Sequence, residues 1–168
     1  KRGHLQFILR KCRVFSFSNV FIILAIGIFL KYGHADTLNY TIKLQNEDFQ
    51  TVSLENYHNR NVLFFYFDPL CHTCTDLNKK LVEVKIKLKG VSIIGIVSGD
   101  KSRMDFFNAV NSSNFEYHLL WDAPDLLFQK ALKLEWTPSL ILVGKDGYIK
   151  YKEQKPENLD NLLKIISN

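Results

Sequence analysis

Cysteine is scarce in this 168-residue chain: there are three, and only Cys71 and Cys74 lie beyond the first 35 positions. No second pair of Cys or His stands at finger spacing, which argues against a zinc finger. Low-complexity tracts and internal repeats are also missing. Acidic residues are absent from residues 1–35, which hold six of the 22 basic residues (Lys1, Arg2, Arg10, Lys11, Arg13, Lys31) and none of the 17 acidic ones. The remaining 16 basic against 17 acidic residues give the rest of the chain a net charge of −1. The formal charge of +5 therefore belongs to the N-terminal segment, and nothing beyond it suggests a nucleic-acid surface. Lys79, Lys80, Lys85, Lys87 and Lys89 are interleaved with apolar positions, and Asp76–Lys80 and Glu83–Lys87 have i,i+4 spacing, so a solvated helix face is expected there.

What the segment does have is a basic flank before an uncharged run, Val14 to Leu30, most apolar from Val20 to Leu30. That order directs the following chain across a membrane by the positive-inside rule. A retained anchor of this length would span roughly 25 Å at about 1.5 Å per residue. Alternatively, the apolar core suits a cleaved signal peptide, with small residues in Gly33-His34-Ala35 before a cut at Asp36. Both outcomes place residues 36–168 outside the cytoplasm, so the expected organisation is a signal or anchor over 1–35 and one domain over 36–168. Cys12 lies in the basic flank, on the far side of the membrane from the pair if the segment inserts.

Cys71 and Cys74 sit where a strand meets a helix. The run Val62-Leu63-Phe64-Phe65-Tyr66-Phe67 is β-branched and aromatic enough for a central strand, and Asp68-Pro69 ends it. Leu77, Leu81, Val84 and Leu88 then recur at helical spacing. Cys71 is thus expected at a helix N-terminus, where free N–H groups and the helix dipole favour a thiolate. Closing so short a loop gains little chain entropy, so stability is a poor reason for the spacing. A low-pKa thiol with a second thiol three residues on is suited to opening a disulfide and then releasing the mixed disulfide.

Along the rest of the chain the pattern predicts short strands at Thr41–Gln45 and Thr51–Leu54, a polar linker over Asn56–Asn61 and a helix from about Cys71 to Leu88 stopped by Gly90. A buried strand Val91–Val97, a helix through Met104–Val110 begun near Asp100 or Ser102, and a short strand Tyr117–Trp121 follow. Asp122-Ala123-Pro124 reads as the cap and first turn of a helix over Asp125–Leu132. Strands Ser139–Val143 and Tyr148–Lys152 flank a Lys145-Asp146-Gly147 turn, and Pro156 opens a last helix. Strands alternating with helices and closing in a hairpin imply an α/β fold, a mixed sheet with helices on both faces.

The order and three motifs together resemble the thioredoxin fold over about residues 40–168, and within it the exported TlpA/ResA/CcmG-like (redoxin-like) thiol–disulfide oxidoreductases. The motifs are Cys71-His72-Thr73-Cys74 at a strand–helix junction, Thr137-Pro138 before a strand, and the Lys145-Asp146-Gly147 hairpin. The resemblance implies a protein thiol–disulfide oxidoreductase with Cys71 attacking and Cys74 resolving. It implies a cis Pro138 beside the cysteines, with the Thr137 backbone left to pair with a substrate peptide. It implies no cofactor beyond a redox-active Cys71–Cys74 disulfide, and as partners cysteine-containing proteins and a redox partner protein, with a role as reductant in cytochrome c or copper-site maturation. The chain departs from the pattern in having Leu70 before the first cysteine, His72-Thr73 between the pair, and Leu77 where many exported reductases have Glu. A protonated His72 would stabilise the Cys71 thiolate; the other reading is a solvent-facing His of little influence. The alternative functions weighed are a Sco-like copper-delivery protein, with His118 as a third ligand, and a peroxiredoxin-like peroxidase. A third is a binding module with an inert disulfide.

Overall fold

In the computed structural model, residues 36–112 and 115–167 are described. The expected signal or anchor over residues 1–35, and Cys12 with it, lie outside the described residues. Seven strands form one sheet: β1 (Lys43–Gln45), β2 (Thr51–Ser53), β3 (Asn61–Phe67), β4 (Val91–Val97), β5 (Leu119–Trp121), β6 (Ser139–Val143) and β7 (Ile149–Gln154). Among the described residues four α-helices accompany them: α1 (His72–Val84), α2 (Arg103–Asn111), α3 (Leu127–Leu132) and α4 (Asp160–Ser167). The strand order is β2-β1-β5-β4-β3-β6-β7. β3, β4 and β5 run parallel, while β6, β7, β1 and β2 join antiparallel. This is the mixed thioredoxin-like α/β sheet that the sequence pattern predicts.

β3 is central because it can be buried on both faces, having no charged side chain and, after Asn61, only the Tyr66 hydroxyl as a polar group. Its residues alternate between two cores, as the two-residue period of a strand requires. Leu63, Phe65 and Phe67 pack with Cys74, Leu77 and Leu81 of α1, Phe106 and Ala109 of α2, and Leu162 of α4. Val62, Phe64 and Tyr66 pack on the other face with Phe128 and Leu132 of α3, Leu44 of β1 and Leu54. The sheet thus carries α1, α2 and α4 on one face and α3 on the other. Because β3 and β4 are parallel, the loops after them emerge at the same edge, and the candidate site residues gather there.

Several local expectations are corrected. α1 stops at Val84 and tightens into a single 3-10 turn, Lys85–Lys87, which swings Leu88 into the core before Gly90 turns the chain at φ +78°. The polar linker begins with a 3-10 turn, Leu54–Tyr57, anchored by buried Leu54. α3 starts at Leu127, after Leu126, which is left-handed at φ 54°. Asp122 still acts as its cap, from farther away: its carboxylate oxygens accept the Phe128 and Gln129 N–H groups at 2.9 Å each. α4 begins at Asp160, four residues beyond Pro156, and the third short strand starts at Leu119. On α1, Asp76 pairs with His72 and Lys79 in place of Lys80, whose ammonium donates to the Glu157 carbonyl at 3.2 Å.

Candidate active site

The chain leaving β3 is folded back by Asp68. Its Oδ1 accepts the Leu70 N–H at 2.8 Å and its carbonyl accepts the Cys71 N–H at 3.1 Å, a turn in which the Asp side chain substitutes for backbone. Cys71 then takes an extended conformation, φ −85° and ψ 119°, and serves as the N-cap of α1. Its sulfur accepts the Cys74 N–H at 3.2 Å, satisfying a donor that the helix start would leave open. The Thr73 hydroxyl lies 3.0 Å from the same sulfur. Three residues on, the helix repeat carries Cys74 inward among Phe65, Phe67 and Leu77, where it is 2 % exposed.

The two free thiols are thereby made unequal. Burial alone would raise Cys71, but it is only partly covered, and hydrogen bonds from Cys74, the Thr73 hydroxyl and the Cys74 N–H outweigh that, so its pKa falls below the ordinary thiol value. Cys74 is pushed up to about 12, first by burial and then by its hydrogen bond with Cys71. Hydrogen bonds from the Asp68 N–H and Thr137 act in the opposite direction on Cys74 without reversing the shift. The site therefore holds an accessible thiol biased toward thiolate above a thiol that stays protonated.

Thr137 and Pro138 arrive from the loop before β6. The Thr137–Pro138 bond is cis, and the hydrogen bond from Thr137 to Cys74 brings the loop against the dithiol. Gln154 holds the loop by accepting the Glu135 and Trp136 N–H groups at 2.7 and 3.0 Å, and the Ser139 hydroxyl donates to the Trp136 carbonyl at 2.6 Å. β6 begins only at Ser139, so Thr137 lies outside its ladder. Two apolar side chains on these loops face solvent: Leu70, 73 % exposed, and Trp136, 53 % exposed, with the Lys155 ammonium 3.3 Å from the Trp136 ring centroid. Such exposure of large apolar groups beside a reactive thiol suits contact with another protein.

His72 points elsewhere. Its side chain is 89 % exposed, and Nδ1 lies 3.1 Å from Asp76 Oδ2. The groups that lower Cys71 are Cys74 and Thr73. Thr73 is the residue that reading the motif overlooked, and a hydroxyl two positions after a capping cysteine was the available signal. The other overlooked contact joins Asp68 to Lys101 of the β4–α2 loop, Nζ to Oδ2 at 2.9 Å. His118, the candidate third copper ligand, stands before β5 at the opposite end of the parallel strands and faces Glu47 at 3.6 Å. Among the described residues no three His, Cys, Asp or Glu side chains gather where they would hold a metal ion.

Comparison with known proteins agrees with this geometry. The family profile described as Redoxin matches residues 35–166. No curated protein matches the sequence. Among solved structures, a secreted Mycobacterium tuberculosis disulfide oxidoreductase, itself described as homologous to Escherichia coli DsbE, superposes with a TM-score of 0.63 at 16 % identity, over 76 % of this chain and 96 % of that one. The thioredoxin domain of a Bacteroides vulgatus thiol-disulfide oxidoreductase gives 0.64 at 21 %, over 80 % and 100 %. An exposed lipoprotein thioredoxin of Streptococcus pneumoniae gives 0.63 at 17 %, over 75 % and 97 %.

Proposed function

This chain belongs to the redoxin family, and from that premise we propose that it is an exported protein thiol–disulfide oxidoreductase whose working couple is Cys71 and Cys74. The observation that carries the reading is the division of labour between the sulfurs. Cys71 caps the helix, is hydrogen-bonded and is partly exposed, whereas Cys74 is buried and held protonated behind it. In the reducing direction the Cys71 thiolate attacks one sulfur of a substrate disulfide. A Cys71–substrate disulfide forms, and the other substrate sulfur leaves as a thiolate and takes up a proton. Cys74 then loses its proton and attacks the Cys71 sulfur, so the internal disulfide forms as the mixed one breaks. Two electrons pass to the substrate, which departs as a dithiol, and the oxidised pair awaits a dithiol partner.

Burial keeps Cys74 protonated in every state of the site, and its hydrogen bond with Cys71 adds to that only while Cys71 is free. Once Cys71 is bonded to substrate, that part of the restraint on ionisation is gone. Thr137 and the cis Pro138 form the substrate-binding edge, with Thr137 outside the β6 ladder and thus placed to pair with an extended peptide. The basic-then-apolar segment before Asp36 supports export, and the descriptions of the Mycobacterium protein as secreted and the Streptococcus protein as an exposed lipoprotein accord with it. We assign the direction as reducing, toward cysteines awaiting haem or copper, on the resemblance to the exported reductases.

The test is exchange with a disulfide peptide by the full-length protein and its cysteine variants. Cys71→Ser abolishes exchange, and Cys74→Ser accumulates mixed disulfides that gel shift resolves under non-reducing conditions. Retained activity in Cys71→Ser overturns the mechanism. Equilibration against dithiothreitol then sets the direction: a potential near or below roughly −230 mV places the pair with thioredoxin-like reductants, and one above roughly −150 mV with DsbA-like oxidants.

A further inference from the structure

Asp68 is a strange neighbour for a thiolate. Its Oδ1 and carbonyl build the turn into Cys71, and its N–H bonds the Cys74 sulfur, so it cannot move away from the dithiol. Yet its carboxylate charge opposes ionisation of Cys71. Lys101 answers it. The ammonium lies 2.9 Å from Asp68 Oδ2 and 3.8 Å from Asp100 Oδ2, and the Lys101 and Asp68 side chains are only 23 % and 21 % exposed. Partial burial makes the pairing less screened than a surface ion pair.

Lys101 is also delivered by a well-defined loop. Gly99, two residues before it, packs so closely on β5's exit that a Cβ there would sit 1.7 Å from the Asp122 carbonyl oxygen. On the other side, Ser102 and Asp105 close a reciprocal cap on α2, which engages the Asp105 carboxylate. The groups around the dithiol are thus Thr73 from α1, Asp68 from the β3–α1 loop, Lys101 paired with it from the β4–α2 loop and backed by Asp100 of that loop and Asp105 of α2, and Thr137 from the loop before β6. His72 and Asp76 pair with each other on the exposed face of α1.

The geometry points to Lys101 as a positioning residue for thiol–disulfide exchange, which cancels the charge of Asp68 so that the acid shaping the turn does not suppress the Cys71 thiolate. The inference rests on Cys71 being the attacking thiol. It makes the β4–α2 loop part of the redox site through the ion pair with Asp68.

The test follows iodoacetamide alkylation of Cys71 against pH in the reduced full-length protein, with fragment-ion mass spectrometry separating Cys71 from Cys74. Lys101→Met moves the alkylation midpoint to higher pH, leaving an about threefold smaller thiolate fraction below it. Lys101→Arg keeps the wild-type midpoint. Asp68→Asn retains the oxygen that accepts the Leu70 N–H, and it moves the midpoint the other way; the Asp68→Asn, Lys101→Met double variant returns close to wild type. Midpoints in Lys101→Met and Asp68→Asn that both superpose on wild type, with far-ultraviolet circular dichroism unchanged, overturn the inference. If Lys101→Met fails to fold, Lys101→Gln takes its place: a raised midpoint supports the coupling and an unmoved one refutes it. A wild-type protein that exchanges with no disulfide would refute the functional reading instead, and the alkylation midpoints would still report on Lys101.

Discussion

At the scale of single residues, the dithiol turns on which small donor reaches which sulfur. Thr73 places its hydroxyl 3.0 Å from Cys71 Sγ, whereas His72 spends its Nδ1 on Asp76. Thr73→Val, close to isosteric, removes that donor and is expected to shift the Cys71 alkylation midpoint upward and slow exchange near neutral pH a few-fold. His72→Ala is expected to move the midpoint less than Thr73→Val does. The same iodoacetamide titration ranks the two, and the reverse order would restore the imidazole as the group that tunes the thiolate. The hydroxyl was legible in the motif, since only its distance to the sulfur needed a structure. The exposure of His72 was not legible, because a dipeptide between two cysteines says nothing about which side of the helix start each side chain takes.

At the scale of elements, caps position both edges of the site. Ser102 Oγ accepts the Asp105 N–H at 3.1 Å, and Asp105 Oδ2 accepts the Ser102 N–H at 3.1 Å. Ser102→Ala is expected to cost about 1 kcal/mol in urea unfolding, the usual loss for an N-cap. Asp122→Ala strands two N–H donors at the start of α3 in the core and is expected to cost about 2 kcal/mol or more by the same measurement. Gly99→Ala forces β4's exit loop off the Asp122 carbonyl, so its destabilisation should exceed that of Ser102→Ala. Equal costs would mean that the loop yields without strain. β4 and β6 have the bounds that their apolar runs predict, because a continuous β-branched segment between turn residues admits few other readings. The starts of α3 and α4 differ from the expectation in one way: a proline reads as a first helical residue, whereas Pro124 and Pro156 each stand in the loop before the helix, which begins at Leu127 and Asp160.

At the scale of the whole molecule, the two-faced sheet carries buried ionisable groups that set its alkaline limit. Tyr66 is pushed up to about 12, mainly by burial, and Tyr117 and Tyr151 are also raised by burial, Tyr151 further by its Glu153 partner. Cys74, at about 12, behaves alike in the reduced protein. Each of these groups keeps its proton in the native state at a pH where the unfolded chain has released it. Stability is therefore full below the unfolded values, about 9 for the thiol and about 10 for the phenols, and falls as pH rises through that window toward the native values. Urea midpoints of the reduced protein are expected to drop steadily above roughly pH 9. Tyr66→Phe should flatten that drop while lowering stability near neutrality, since it also removes the hydroxyl that lies 2.9 Å from both Ser98 Oγ and Gln129 Oε1. A pH-independent midpoint would contradict the raised values.

The sequence by itself determined the central strand, the capping cysteine and the alternation of strands and helices. Each depends on short-range order: a two-residue or 3.6-residue period, a turn dipeptide, or an N-cap position. It also indicated which thiol stands at the helix start. Only the tertiary structure decided how far apart the two thiols titrate, because that follows from the depth of Cys74 in the core and from the hydrogen bonds both sulfurs make. Only the tertiary structure, too, set Lys101 against Asp68 and the Thr137 loop against Cys74. Electrostatic coupling runs through space between loops that parallel strands bring to one edge of the sheet, and no local period in the chain records that distance.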